Sequence, residues 1–201
     1  MLSIIVPVRD ESKTIEGVFD YFNNNLKSIN YEVLIINDFS KDDTLDKTKS
    51  LVGEYKNFKV FDNDKKGLGG AINLGIKKAL GINVVIMMAD QSDDINDLIE
   101  YDKLMKSGEF DAILGSRFTK NSRVNDYPFQ KLILNRIFNF FVSVIFFNKY
   151  NDYTNAFKIY KRSTLLEIMP LISESFNIFL EIPLKIISRI TKWNLCILRM
   201  K

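Results

Sequence analysis

Asp90, Asp93 and Asp94 follow directly on the apolar run Val84-Val85-Ile86-Met87-Met88, with Ser92 between them. Carboxylate and hydroxyl oxygens at the end of a buried strand are hard ligands suited to Mg²⁺ or Mn²⁺, and a cation held there can grip the phosphates of a nucleotide. Polar residues also end the other apolar runs: Pro7-Val8-Arg9-Asp10-Glu11, Asn37-Asp38-Phe39-Ser40, and Gly115-Ser116-Arg117. Asp38 and Glu11 can accept hydrogen bonds from ribose hydroxyls or base N–H groups, and Arg117 can pair with a phosphate or hold the acidic loop. Each also has a local alternative. Asp38 suits an Asx turn, Glu11 a first-turn carboxylate facing a helix dipole, and Ser92 or Asp93 a helix cap.

The elements that must position these residues alternate in type. Ser3–Val8, Glu32–Asn37, Phe58–Phe61, Val84–Met88 and Ala112–Gly115 are short and rich in β-branched residues, as strands are. Between them, Thr14–Leu26, Leu45–Glu54, Gly70–Leu80 and Ile95–Met105 carry apolar residues at helical spacings of three and four. This alternation predicts an α/β fold, a mostly parallel sheet with helices on both faces, which brings the strand ends to one carboxyl edge. Ser40-x-x-Asp43 suits a helix start, and Gly81 and Gly108 suit helix stops. The polar stretch from Thr119 to Pro128 reads as a mobile loop dividing a nucleotide-binding half, 1–118, from an acceptor half, 128–201.

Composition narrows the chemistry. The 201 residues, 46% of them hydrophobic, suffice for one well-packed domain. The net charge of +3 comes from 28 basic and 25 acidic residues dispersed along the chain, so no basic stripe marks a nucleic-acid binder. Histidine is absent, which rules out Ser-His-Asp and Cys-His catalysis and histidine-ligated metals. The lone Cys196 permits neither an internal disulfide nor a cysteine metal cluster, and fits a reducing, cytoplasmic setting. No basic leader precedes the first apolar run, so a signal peptide is not expected. The stretch from Leu132 to Phe147 is apolar but interrupted by Asn135, Arg136 and Asn139, too short to span a bilayer at about 20 residues. It fits either a core helix or one lying in a membrane interface.

A dinucleotide fold would place G-x-G-x-x-G after the first strand, where Pro7 to Glu11 has no glycine. Gly67-Leu68-Gly69-Gly70 follows the third strand instead, lacks the sixth-position glycine, and by itself reads first as a tight turn into the helix from Gly70 to Leu80. The strand-end blocks together, with Lys66-Gly67-Leu68-Gly69-Gly70-Ala71 and Asp152-Tyr153-Thr154-Asn155-Ala156-Phe157-Lys158, resemble the family 2 glycosyltransferases of GT-A fold, nearest the dolichol-phosphate mannose synthase branch. The resemblance covers nearly the whole chain in collinear order.

That resemblance implies a nucleotide-sugar site of Pro7, Arg9, Glu11, Ile36, Asp38, Gly69, Ala89, Asp90 and Arg117. It implies a divalent cation at Asp90, with Ser92 and Asp93 as nearby donors, and Met88 stands where the family motif has its first Asp. Asp152 matches the head of the acceptor-side motif, with Ala156 replacing a glycine. It is the candidate base for inverting transfer, or an orienting group if the acceptor is an anionic lipid phosphate. Glu181, in Phe176-Asn177-Ile178-Phe179-Leu180-Glu181, matches the segment lining the acceptor side, or is a solvated helix face. The expected reaction moves a sugar from a GDP- or UDP-linked donor to a polyprenyl phosphate or glycan, with 132–147 as peripheral membrane contact. Relatives continue into a further strand and a basic diphosphate clamp. Ile197-Leu198-Arg199-Met200-Lys201 reads as the beginning of that strand, and the chain as a shortened enzyme or a silent nucleotide-sugar-binding or partner protein. A nucleotidyltransferase would instead need a Gly- and Arg-containing loop after strand one.

Overall fold

The computed structural model describes residues 1–119, 129–189 and 194–199. Its strands are β1 (Leu2–Val8), β2 (Tyr31–Asn37), β3 (Phe58–Asp62), β4 (Asn83–Ile86), β5 (Ala112–Ser116), β6 (Lys158–Lys161) and β7 (Leu195–Arg199). The helices are α1 (Ile15–Asn25), α2 (Thr44–Val52), α3 (Leu68–Lys78), α4 (Ile95–Met105), α5 (Phe129–Ile145), α6 (Arg162–Ile168) and α7 (Ile178–Ile187). All seven strands form one sheet in the order β3-β2-β1-β4-β6-β5-β7. β6 runs antiparallel to both β4 and β5, and every other pairing is parallel.

Burial explains why the central strands read so clearly. Every residue of β1 and β2 is buried, as expected of parallel strands covered on both faces. One face packs Phe19 and Phe22 of α1 and Leu98 and Tyr101 of α4 against Ile4, Val33 and Ile159. The other packs Ile72 and Ile76 of α3 and Ile178, Ile182 and Ile186 of α7 against Ile5, Leu34 and Val84. β4 ends at Ile86, two residues short of the expected Met88, so Met87 and Met88 lead into the acidic loop. α2 begins at Thr44, one residue ahead of the expected Leu45, with Asp43 rather than Ser40 at its cap position; the Ser40 hydroxyl instead accepts from the Asp10 N–H at 3.1 Å. The strand expected at Ile197 is present as β7, paired with β5 from Ala112 to Ser116. The expected dividing loop lies, apart from Thr119, outside the described residues.

α5 is turned inside out. Asn139 is 1% exposed, and its Oδ1 accepts from the Tyr153 N–H at 2.6 Å. Leu134, Phe140, Phe141 and Ile145 are 58–67% exposed, and Val142 is the buried apolar residue. The core-helix alternative therefore fails: a core helix turns its apolar side inward, and this one turns an asparagine inward. Among the described residues no helix is long and apolar enough to cross a membrane.

Candidate functional site

Because β1, β2, β4 and β5 run in the same direction, Arg9, Asp38, Asp90 and Arg117 all leave the sheet at its carboxyl edge. Three of these exits turn through a left-handed, non-glycine residue: Asp10 at φ 58°, Phe39 at 58° and Gln91 at 57°. Such residues cost on the order of 1–3 kcal/mol each and collect at functional loops.

A cleft of about 190 Å³ opens beside these loops, lined by Pro7, Val8, Arg9, Glu11, Asp38, Leu68, Met88 and Phe176. Of the nine residues expected at a nucleotide-sugar site, Pro7, Arg9, Glu11 and Asp38 line this cleft. Asp38 is its organising group, 4% exposed. Its Oδ1 accepts from Asn63 Nδ2 and from the Gly67 N–H, both at 2.8 Å, and Oδ2 pairs with the Arg9 guanidinium. Arg9 Nε also donates to the Asp38 carbonyl at 2.7 Å, fixing the arginine along the cleft wall. Glu11 accepts from the Thr14 hydroxyl, so it serves the helix start while lining the cleft. Ile36 is fully buried beneath the site, and Ala89 is 4% exposed in the core behind it.

Gly69 is shaped by packing. A Cβ there would lie 1.7 Å from the Ser173 carbonyl oxygen, so the segment between α6 and α7 rests directly on the start of α3. The Gly69 N–H donates to the Glu174 carbonyl at 3.2 Å.

The acidic loop divides its duties. Asp94 is the cap of α4, its Oδ1 accepting from the Asn96 N–H at 2.8 Å, so neither Ser92 nor Asp93 fills that role. Asp90 is exposed and accepts from the Ser92 N–H at 3.0 Å. Burial, and then the charge of Asp90, push Asp93 up to about 7, with Arg117 opposing. A cation would relieve that repulsion, and the oxygen donors of Asp90, Ser92 and Asp93 fit a hard divalent ion completed by substrate phosphates and water. Among the described residues no three carboxylates converge as a metal centre.

Arg117 and Asp152 meet across the sheet edge. Asp152 is fully buried, its Oδ2 accepting from the Arg117 backbone N–H and Nε at 2.9 Å each and its Oδ1 from Nη2 at 2.7 Å. Both carboxylate oxygens are thereby engaged in a two-pronged pair that aims the guanidinium. Beneath them Lys158, also fully buried, donates from Nζ to the carbonyls of Tyr153, Asn155 and Phe179. Burial lowers its amine to about 7, with Asp152 pulling it back up.

Glu181 lies on α7, where its carboxylate accepts from the Ile172 N–H at 2.9 Å and the Ser173 N–H at 2.7 Å and pairs with Lys185 at 2.7 Å. Burial alone would raise it. The bonds from Lys185 and the two amides outweigh burial and bring it down to about 2. Two neighbours of the site, Leu68 and Lys158, carry no role in the sequence alone, and Phe176, in the segment expected on the acceptor side, lines this cleft instead. A lysine heading the strand Lys158-Ile159-Tyr160-Lys161 was the available signal for Lys158, whereas Phe176 reaches the cleft only through tertiary packing.

Sheet order, exit loops and cleft define an α/β domain of the GT-A type. Glucosyl-3-phosphoglycerate synthase from Mycobacterium tuberculosis, solved with UDP, superposes at a TM-score of 0.70 over 100% of this chain and 71% of that one, at 12% identity. The same enzyme with Mn²⁺, UDP and glucosyl-3-phosphoglycerate gives 0.67 at 15% identity, covering 100% of this chain and 70% of that one. Residues 3–169 match the profile of Glycosyl transferase family 2, and the chain belongs to that family. It is 30% identical over 135 residues to a dolichol-phosphate mannosyltransferase of Pyrococcus furiosus, covering 67% of this chain and 38% of that protein. It is 28% identical over 166 residues to glycosyltransferase AglD of Haloferax volcanii, covering 80% of this chain and 26% of that protein. The chain thus spans well under half the length of both relatives.

Proposed function

We propose that the protein transfers a sugar from a nucleoside diphosphate donor, UDP- or GDP-linked, to a polyprenyl-phosphate or glycan acceptor. One observation carries this most strongly: the cleft around Asp38 runs to Met88, two residues before Asp90, so a nucleoside held at one end directs its diphosphate towards the acidic loop. The relatives' names, which include a dolichol-phosphate mannosyltransferase, support the acceptor class.

In this scheme Asp38 and Arg9 hold the nucleoside. Asp90, with Ser92 and Asp93, would hold Mg²⁺ or Mn²⁺, which when bound offsets the charge of the departing diphosphate. The acceptor oxygen attacks the anomeric carbon from the face opposite the diphosphate. The bond from carbon to phosphate oxygen breaks with its electron pair, inverting the centre. A lipid phosphate attacks as an anion and needs no base, so Asp152 acts by aiming Arg117 at the anionic groups in the site. With a hydroxyl acceptor, Asp152 would have to leave Arg117 before taking a proton. Residues 1–118 supply most of the donor site and 128–201 the acceptor side. The exposed apolar face of α5 would lie in the cytoplasmic membrane interface, next to a lipid acceptor.

A second proposal, donor binding without transfer, draws on Met88 standing where the family motif has its first Asp. Incubation with radiolabelled UDP- or GDP-sugars, Mn²⁺ and short polyprenyl phosphates distinguishes the two. Transfer is expected, and donor binding without labelled lipid would favour the second.

A further inference from the structure

We propose that the segment joining α6 to α7 is a strap that builds one wall of the donor-nucleoside cleft, with Phe176 packing against the base and Glu181 acting as the positioning residue that holds the strap in place. The inference rests on the cleft being the donor site, and adds a contact from a part of the chain expected to face the acceptor.

The strap is fastened at both ends. On the α7 side Glu181 takes the Ile172 and Ser173 amides, and its partner Lys185 donates to the Pro170 carbonyl at 2.6 Å. On the α3 side Asn73 Nδ2 donates to the Leu171 carbonyl at 3.1 Å, the Gly69 N–H donates to the Glu174 carbonyl, and Lys65 pairs with Glu174 at 3.2 Å. The missing side chain of Gly69 lets the Ser173 carbonyl settle onto the helix. A segment fixed this closely sets the position of whatever it carries next.

It carries Phe176. Phe176 is 67% exposed, so it contributes little to the core, yet it lines the cleft together with the apolar Leu68, Met88 and Pro7 and the polar Asp38 and Arg9. Its inner side leans on Phe179, centroids 6.0 Å apart, and Phe179 is 3% exposed. An exposed aromatic ring packed against Phe179, in a cleft that offers both apolar and polar side chains, suits the flat face of a nucleobase, while Asp38 and Arg9 serve its polar edge or the ribose. Glu181 does not reach the cleft itself, and its influence on the donor runs through Phe176.

The test is calorimetric titration of the full chain with UDP and with GDP, in Mn²⁺, with thermal melting to confirm folding. Phe176→Ala is expected to weaken the tighter nucleotide about tenfold, the lower part of the range for losing a base–aromatic contact, and Phe176→Trp to retain it. Glu181→Gln should weaken it several-fold, but add less than about twofold when Phe176 is already alanine, a coupling that generally lowered stability would not produce. Should Glu181→Gln fail to fold, Asn73→Ala releases the strap at its other fastening and is compared in the same way. If the wild-type chain binds neither nucleotide, both the donor-site assignment and this inference fall. If it binds one and Phe176→Ala binds equally well, the inference alone falls. If the strap variants weaken binding equally with and without Phe176, the positioning role falls.

Discussion

Replacing Glu181 with glutamine keeps the shape of the side chain and removes its charge, which isolates what the carboxylate does for the strap. The carboxyl group sits at about 2 when folded against an ordinary value of 4.5. Because the folded value is the lower one, the stability it contributes is fully present above about pH 4.5 and is lost as pH falls towards 2. The side chain is 10% exposed, so solvent screens these bonds little. At 1.36 kcal/mol per pKa unit the contribution at pH 7 is on the order of 3 kcal/mol. Hydrogen bonds to a charged group, at roughly 1.5–3 kcal/mol each, are of the same order. Urea denaturation of both proteins at pH 7 and at pH 3 is the assay. Taking the difference between them cancels the other carboxylates. The variant should be less stable by about 2–3 kcal/mol at pH 7, and the gap should shrink markedly by pH 3. A gap that is the same at both values would refute the charge-based account of the strap.

Gly69→Ala should destabilise by about 1–3 kcal/mol, because the new Cβ meets backbone of the strap and the roughly 1 kcal/mol that alanine gains in a helix does not compensate; unchanged denaturation would contradict that packing. Lys158→Met tests the buried amine. Folded Lys158 releases its proton near 7 and the unfolded chain near 10.5, so the unfolded state binds more protons between those values and wild-type stability should rise with pH relative to the variant; parallel melting-temperature profiles from pH 6.5 to 9.5 would contradict it. Phe140→Asp with Phe141→Asp, both on the exposed face of α5, should leave the melting temperature nearly unchanged yet reduce co-sedimentation with anionic phospholipid vesicles at least about tenfold, since burying each ring contributes roughly 1.5–3 kcal/mol. Equal sedimentation of variant and wild type would remove α5 from the membrane contact.

The parallel part of the fold was legible because its signals are local. β1 and β2 are buried on both faces and therefore read as continuous apolar runs, and α4 shows its period and its boundaries. β6 and α7 were not legible as elements. Lys158-Ile159-Tyr160-Lys161 is polar at both ends and is made a strand only by fitting antiparallel between β4 and β5, while Pro183 inside α7 looks like a helix breaker. The site divides the same way. That Asp38 and Arg9 share one cleft was legible because strand ends in such sheets gather at one edge. The pairing of Arg117 with Asp152, 35 residues apart, and the grip of Glu181 on two strap amides are long-range contacts that no spacing announces. The apolar pattern of α5 was plain, but which side it turns inward depended on Asn139 meeting the Tyr153 amide.

In the proposed scheme the cleft at Asp38 and the acidic loop at Asp90 form one donor site. Titration of UDP- and GDP-sugars into wild type and Asp90→Ala, each with and without Mn²⁺, tests it most directly. Wild type is expected to bind one donor more tightly with Mn²⁺, and Asp90→Ala to lose the Mn²⁺-dependent part while folding normally. Absence of donor binding by wild type, or Mn²⁺-dependent binding that survives in Asp90→Ala, would contradict it.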